Sequence, residues 1–259
     1  MSDRLPIDLE LRDGAAWITL PNGDRGNAVD QQLVDELLAA VARARREQAR
    51  VVVLRATGRF FCVGGDIRSF ADAPDVGAYV DDLADSLHRV VAELQRMPAV
   101  VVSVVHSTAA GAGFPLAAAA DVVLAGRSAK FTLGYSKIGL SVDGGTSLLV
   151  HSLGLHRALR LALLEDVLTA EEAQQAGLVA RVHDDEALAP EAEKLVERLL
   201  AGPPEALAAT KRLLRETADP APERALQAET RSIRERSVSA DGREGVRAFL
   251  DKRAPQFGG

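Results

Sequence analysis

Two short turns with almost no side chain are where chemistry could sit in this 259-residue chain. One lies in the stretch 100–121, VVVSVVHSTAAGAGFPLAAAAD, where a β-branched run leads through Ala109, Ala110, Gly111, Ala112 and Gly113 into an alanine-rich segment. That order predicts strand, tight turn, helix. The other is Phe60-Phe61-Cys62-Val63-Gly64-Gly65-Asp66-Ile67, which follows the apolar run Val51–Leu54. Bare backbone lets peptide N–H groups approach a ligand closely, and the start of a helix favours negative charge. Such a turn serves either a phosphate or the oxyanion formed when a carbonyl beside a reacting carbon becomes enolate-like. A phosphate loop is excluded, because neither lysine nor hydroxyl follows Gly113. Taken singly, each turn reads as an ordinary strand-to-helix connection. An oxyanion hole takes two donors, and the chain has two such turns.

The elements that would carry these turns read as mixed α/β. Ile7–Arg12 and Ala15–Leu20 flank Asp13-Gly14 as a hairpin. A loop over 21–27 precedes an amphipathic helix capped by Asp30, with Leu33, Leu37, Leu38 and Val41 on one face. The small, acidic segment 69–77 reads as mobile before a helix over 78–96. Strands follow at 122–124 and 130–133, helices at 145–152 and 155–164, and a capping box at Thr169–Glu172 opens a helix that Gly177 ends. A last strand is expected over 178–182. From Glu186 the chain is almost all helix, broken at 202–204 and around Asp219-Pro220. That switch puts a coarse boundary near residue 190, between a core over 1–190 and a helical region over 191–259.

Composition limits the partners. The 31 Lys and Arg against 37 Asp and Glu leave a net charge of −6 with both signs scattered, so no basic face for nucleic acid is expected. The single cysteine, Cys62, rules out an intrachain disulfide framework and fits a reducing compartment, with cytoplasm as the default. The charged start MSDRLPIDLELRDG lacks the apolar core of a signal peptide, and runs such as Val100–Val105 are too short to cross a bilayer. No membrane partner is expected.

Through these segments the chain resembles the crotonase (enoyl-CoA hydratase/isomerase) superfamily over nearly its whole length. The resemblance is carried by GNAVDQQLVDELLAAV from Gly26, GRFFCVGGDI from Gly58, the 100–121 stretch, AKFTLGYSKIGLSVDGGTSLL from Ala129, LTAEEAQQAGLVARV from Leu168 and REGVRAFLDKRAPQF from Arg243. It implies an α/β spiral of ββα units with a C-terminal helical trimerisation region, in a homotrimer or a dimer of trimers. It implies an acyl-CoA thioester as substrate and no cofactor beyond the CoA moiety. Carried over by position, the two donors to the thioester oxygen are the N–H groups of Gly65 and Ala112. Gly64, Asp66, Ile67, Arg25 and Lys252 fall at CoA-binding positions, Lys252 matching a family lysine that reaches a CoA phosphate, with a reach across a subunit interface as one option. Phe70, Tyr79, Leu83 and Leu87 fall where the acyl pocket is shaped, and Phe114 beside the turn is expected to shorten it.

The resemblance also says which proton carriers are missing. Hydratases of the family use two glutamates to add water across a conjugated double bond, and alignment puts Pro115 and Tyr135 at those positions. Proline has no proton to give, and a phenol with a pKa near ~10 is a weak base at neutral pH. Asp143, in GLSVDGG, sits where isomerases of the phenylacetate-pathway type carry an aspartate that shuttles a proton between carbons of an unsaturated acyl-CoA. Local sequence alone makes Asp143 a turn or N-cap residue before Gly144-Gly145. Leu140, Val142 and Leu148 offer an apolar surround that would strengthen it as a base. Hydration by a nonstandard acid/base pair, a binding-only scaffold, and an aspartate nucleophile as in the superfamily's aromatic-thioester dehalogenases are the alternatives. His88 has no second ligand at metal spacing and reads as a surface or core residue, and no Cys/His cluster suggests a metal.

Overall fold

A computed structural model of the chain describes residues 5–219 and 221–258. Pro220, at one of the expected helix breaks, and the first four residues of the charged N-terminus lie outside the described residues. The hairpin pairs β1 (Asp8–Arg12) with β2 (Ala15–Leu20), antiparallel. From there β3 (Val51–Ala56), β4 (Val100–Val105), β6 (Val122–Gly126) and β9 (Arg181–His183) add in parallel, giving one sheet of order β1-β2-β3-β4-β6-β9. A second, three-stranded sheet joins β5 (Thr108–Ala110), β7 (Lys130–Thr132) and β8 (Leu168–Thr169).

Continuous apolar runs form these strands because the large sheet is covered on both faces. Side chains alternate across it. Ala16, Ile18, Val52, Leu54 and Val101 pack under α1 (Gln31–Arg46) and α3 (Val76–Arg96). Ala15, Trp17, Val51, Val53 and Val102 pack against Leu188, Ala192 and Val196 of α8 (Asp185–Leu200). Full burial of one such leucine or valine contributes about 1.5–3 kcal/mol, so the two-sided cover holds the strand ends that carry both turns. The expected N-cap at Asp30 is present, its carboxylate accepting from Leu33 N at 2.7 Å.

Two expectations need correction. The segment read as mobile contains the end of α2 (Ile67–Asp72) and the first turn of α3, each with an aspartate cap, Asp66 and Asp75, that satisfies its free amides. The glycine turn is reached not from β4 directly but through β5, which enters the second sheet beside β7, before α4 (Gly113–Ala118) begins. After α5 (Leu149–Leu153), α6 (Leu155–Leu163) and α7 (Ala170–Gln175), the C-terminal part is helical: α8, α9 (Pro204–Ala218), α10 (Pro222–Ser237) and α11 (Ala240–Leu250). Residue 190, where the boundary was expected, is Pro190 inside α8, and that helix packs on the sheet on both sides of it. Among the described residues no helix is long and apolar enough to cross a membrane.

Candidate active site

The two turns meet. Cys62 bridges Ala109 in parallel, and Ala110 N donates to Cys62 O at 2.8 Å, so the segment after β3 is zipped to β5. Gly64 (φ +93°) adopts a conformation that glycine tolerates, and a Cβ there would lie 3.1 Å from Gly111 Cα and 3.2 Å from Ala112 N. Backbone touches backbone, which a side chain at either glycine would prevent.

Hydrogen bonding then leaves the two expected donors over. Val29 N donates to Gly64 O at 2.8 Å and Asp66 N to Val29 O at 2.9 Å, which turns the N–H of Gly65 to the opposite side of the strand. Gly111 N donates to Thr132 O and Phe114 N to Gly111 O, while Ala112 N lies between them. Among the described residues neither Gly65 N nor Ala112 N has a protein acceptor, and both residues line one cavity of about 740 Å³. Six-residue α4 contributes little dipole, so the N–H groups themselves carry any anion interaction there.

Two carboxylates line that cavity, those of Asp66 and Asp143. Asp66 caps α2, accepting from Arg68 N at 3.1 Å and Ser69 Oγ at 2.8 Å, so its oxygens are engaged. Asp143 is held differently. Its backbone carbonyl accepts from Tyr135 Oη at 3.0 Å and Thr146 Oγ1 at 2.7 Å, and Gly144 (φ +73°) packs on Ala112 so closely that a Cβ would lie 3.0 Å from Ala112 Cβ. The loop bearing the carboxylate is therefore built against the turn bearing a donor.

Behind Asp143 stands a cluster that sequence reasoning missed. His88 Nε2, from α3, lies 3.0 Å from Asp143 Oδ1 and 3.4 Å from Glu229 Oε2 of α10. All three residues are buried. The His88–Asp143 contact is off the ordinary hydrogen-bonding line and is ionic in character. Glu229 accepts from Gly145 N at 2.7 Å and Ser147 N at 2.6 Å. Burial opposes the charge on His88, but the two carboxylates more than offset it and raise the imidazole to about 9. Burial likewise opposes ionisation of Glu229, and bonds from His88, Ser147 and Gly145 still hold it below the usual carboxylate value. His88 takes the core position that was one of its two expected placements, but although no second ligand stands at metal spacing in the sequence, in space one donor atom from each of the three residues lies within 4.8 Å of the others. With the ring raised in this way, the three groups form an ion-pair network around His88 near pH 7. No local signal announces the trio, because its members come from a helix, a loop and a second helix remote in sequence.

The other expected residues divide. Burial and the charge of Asp143 push the Tyr135 phenol well above its usual value, so it stays protonated and serves the loop. Gly64, Ile67 and Lys252 line the cavity, Lys252 from just beyond α11 of the same chain. Arg25 is exposed on the loop whose Ala28 and Val29 reach the wall. Phe70, Leu83 and Leu87 line the cavity and Tyr79 stands behind Phe70, ring centroids 5.8 Å apart. Phe114 is fully buried against Phe131 and does not shorten the pocket. Cys62, donating to Asn27 O, is buried and raised to about 11, an inert thiol.

Comparison with known proteins identifies the family. The family model for enoyl-CoA hydratase/isomerase matches residues 10–259. The chain is 37% identical over 256 residues to 1,2-epoxyphenylacetyl-CoA isomerase of Escherichia coli (strain K12), covering 96% of this chain and 97% of that one. It is 38% identical over 255 residues to a probable enoyl-CoA hydratase of Rhodobacter capsulatus, covering 98% of each. The crystal structure of an enoyl-CoA hydratase from Mycobacterium avium subsp. paratuberculosis K-10 superposes with a TM-score of 0.90 at 33% identity, covering 99% of this chain and 100% of that one. Two unpartnered amides facing one cavity, a fold shared at that TM-score and a match spanning nearly the whole chain lead to one assignment: the protein is an enzyme of the enoyl-CoA hydratase/isomerase (crotonase) family.

Proposed function

We propose that this enzyme shifts a double bond within an enoyl-CoA thioester, with Asp143 as the proton carrier. The thioester oxygen accepts from Gly65 N and Ala112 N. The Asp143 carboxylate removes a proton from the γ or the α carbon, and the electron pair released passes through the conjugated system to the thioester oxygen as a dienolate. The protonated carboxyl then returns the proton at the other end, so a single group completes the 1,3-shift and no further cofactor is required. The carrying observation is that Asp143 is the cavity carboxylate whose oxygens are not consumed in capping a helix, while Pro115 and Tyr135 supply no second base. Arg25 and Lys252 are read as cationic contacts for the CoA portion.

Hydration is the second reading, supported by the hydratase named among the relatives. Asp143→Asn separates the two when trans-3-hexenoyl-CoA is followed in deuterated water. Proton exchange at the α and γ carbons is expected to fall by about 10²–10⁴-fold with thioester binding retained. Exchange that persists in the variant, or a wild-type enzyme that adds water without exchange, sinks the isomerase reading. The same reading includes self-association, supported by Leu155, Leu159 and Leu163, which stand 55%, 42% and 69% exposed at four-residue spacing along α6.

A further inference from the structure

We infer that His88 and Glu229 are positioning residues that set the aim and the strength of Asp143 as a base, His88 by drawing the carboxylate and Glu229 by sharing that cation. The inference rests on the isomerase reading and deepens it. Neither residue lines the cavity, so any effect must pass through Asp143.

The surroundings of the His88 ring accommodate a proton on each nitrogen. Thr230 Oγ1 lies 3.1 Å from His88 Nδ1 and 3.3 Å from Leu226 O, so a proton on Nδ1 finds its acceptor in the hydroxyl while the hydroxyl hydrogen turns to the carbonyl. Nε2 faces two carboxylates and carries the other. A lone imidazolium 3.0 Å from Asp143 would favour the ionised carboxylate and blunt it as a base. Glu229 at 3.4 Å from the same nitrogen divides that attraction. The three groups together carry one negative charge before Asp143 takes a proton and none afterwards, so proton uptake relieves the charge buried there. Glu229 also holds Gly145 N and Ser147 N, which ties α10 to the loop that aims Asp143. His88 comes from α3 and Glu229 from α10, while Tyr135 and Cys62, both raised by burial, stay protonated at neutral pH.

The test is the pH profile of α- and γ-proton exchange in trans-3-hexenoyl-CoA for wild type, His88→Gln and Glu229→Gln, with Asp143→Asn as reference. Glu229→Gln is expected to move the acid limb of the rate down and to slow the plateau, because Asp143 then has the whole cation. His88→Gln is expected to move it up, since two carboxylates then face each other. A residue that merely supports the loop would lower the rate and leave the limb in place. If both limbs coincide with wild type while Asp143→Asn abolishes exchange, this inference falls and the isomerase reading stands. If wild type shows no exchange, the isomerase reading falls, and the His88 ring is read directly by nitrogen NMR of the wild-type protein. Protonation of both ring nitrogens at pH 8 supports the cluster; a neutral ring overturns it, and that measurement also serves should either variant fail to fold.

Discussion

Asp143 is gripped at both ends, its carbonyl by Tyr135 and Thr146 and its carboxylate by His88, so it is held at the cavity wall with little freedom. A base that must reach two carbons gains from such fixing, because the reacting geometry is prepared before substrate arrives. The donor side is equally local. Ala112 has φ −62°, which a proline ring adopts, so Ala112→Pro deletes one N–H at a position whose φ suits proline. Turnover is expected to fall by about 10²–10³-fold with a smaller change in thioester affinity, measured as kcat against KM. Equal losses in binding and turnover would mean that this amide does not face the developing oxyanion. Both turns were legible in the chain, since runs without side chains announce themselves, while the resemblance to the family singled out Gly65 and Ala112 within them. His88 and Glu229 were not, because a buried histidine on a helix has no signature until its partners are known.

At the scale of elements, α11 decides whether the cavity has a complete wall. It packs backbone to backbone on the single 3₁₀ turn Ser136–Ile138: a Cβ on Gly245 would collide with Ile138 carbonyl atoms, and one on Gly139 with Asp241 O. That contact places Phe249, Leu250 and Lys252 along the rim. Gly245→Val is therefore expected to cost about 1–3 kcal/mol of stability and to loosen α11 first. KM for an acyl-CoA should rise more than kcat falls, and hydrogen exchange of 240–250 should accelerate; unchanged exchange there would contradict the packing argument. The helix itself is foreseeable as part of the all-helical C-terminal region. Its docking on its own chain's cavity follows from the close approach of glycines, which one-dimensional patterning does not encode.

The whole molecule carries a pH dependence that the buried trio dictates. His88 moves from an ordinary 6.5 up to about 9 on folding. Its contribution to stability is thus fully present below pH 6.5 and is lost as pH rises through about 9, a total of about 3 kcal/mol at most. Glu229 is shifted the other way, and its contribution is present above 4.5 and lost as pH falls through its lowered folded value. The midpoint of thermal unfolding is expected to be highest between those limits and to decline from pH 6.5 to 9. His88→Gln should flatten that decline; an unchanged slope would place its origin elsewhere. The stripe on α6 bears on assembly: Leu159→Glu with Leu163→Glu should lower the mass seen by light scattering if copies of the chain meet there. An unaltered mass would move the interface to another face.

What the residues determined alone was the α/β alternation, the caps, the two bare turns and the aspartate before Gly144-Gly145. These are short-range properties: periodicity, side-chain absence and local hydrogen bonding are written within a few adjacent positions. Tertiary structure decided that Val29 turns the Gly65 amide away from itself, that Phe114 belongs to the core, and that a histidine and a glutamate remote in sequence stand behind Asp143. The physical reason is that charge–charge contacts depend on distance in space, and only the packing of α3 and α10 around the loop brings those three charges within a few ångströms.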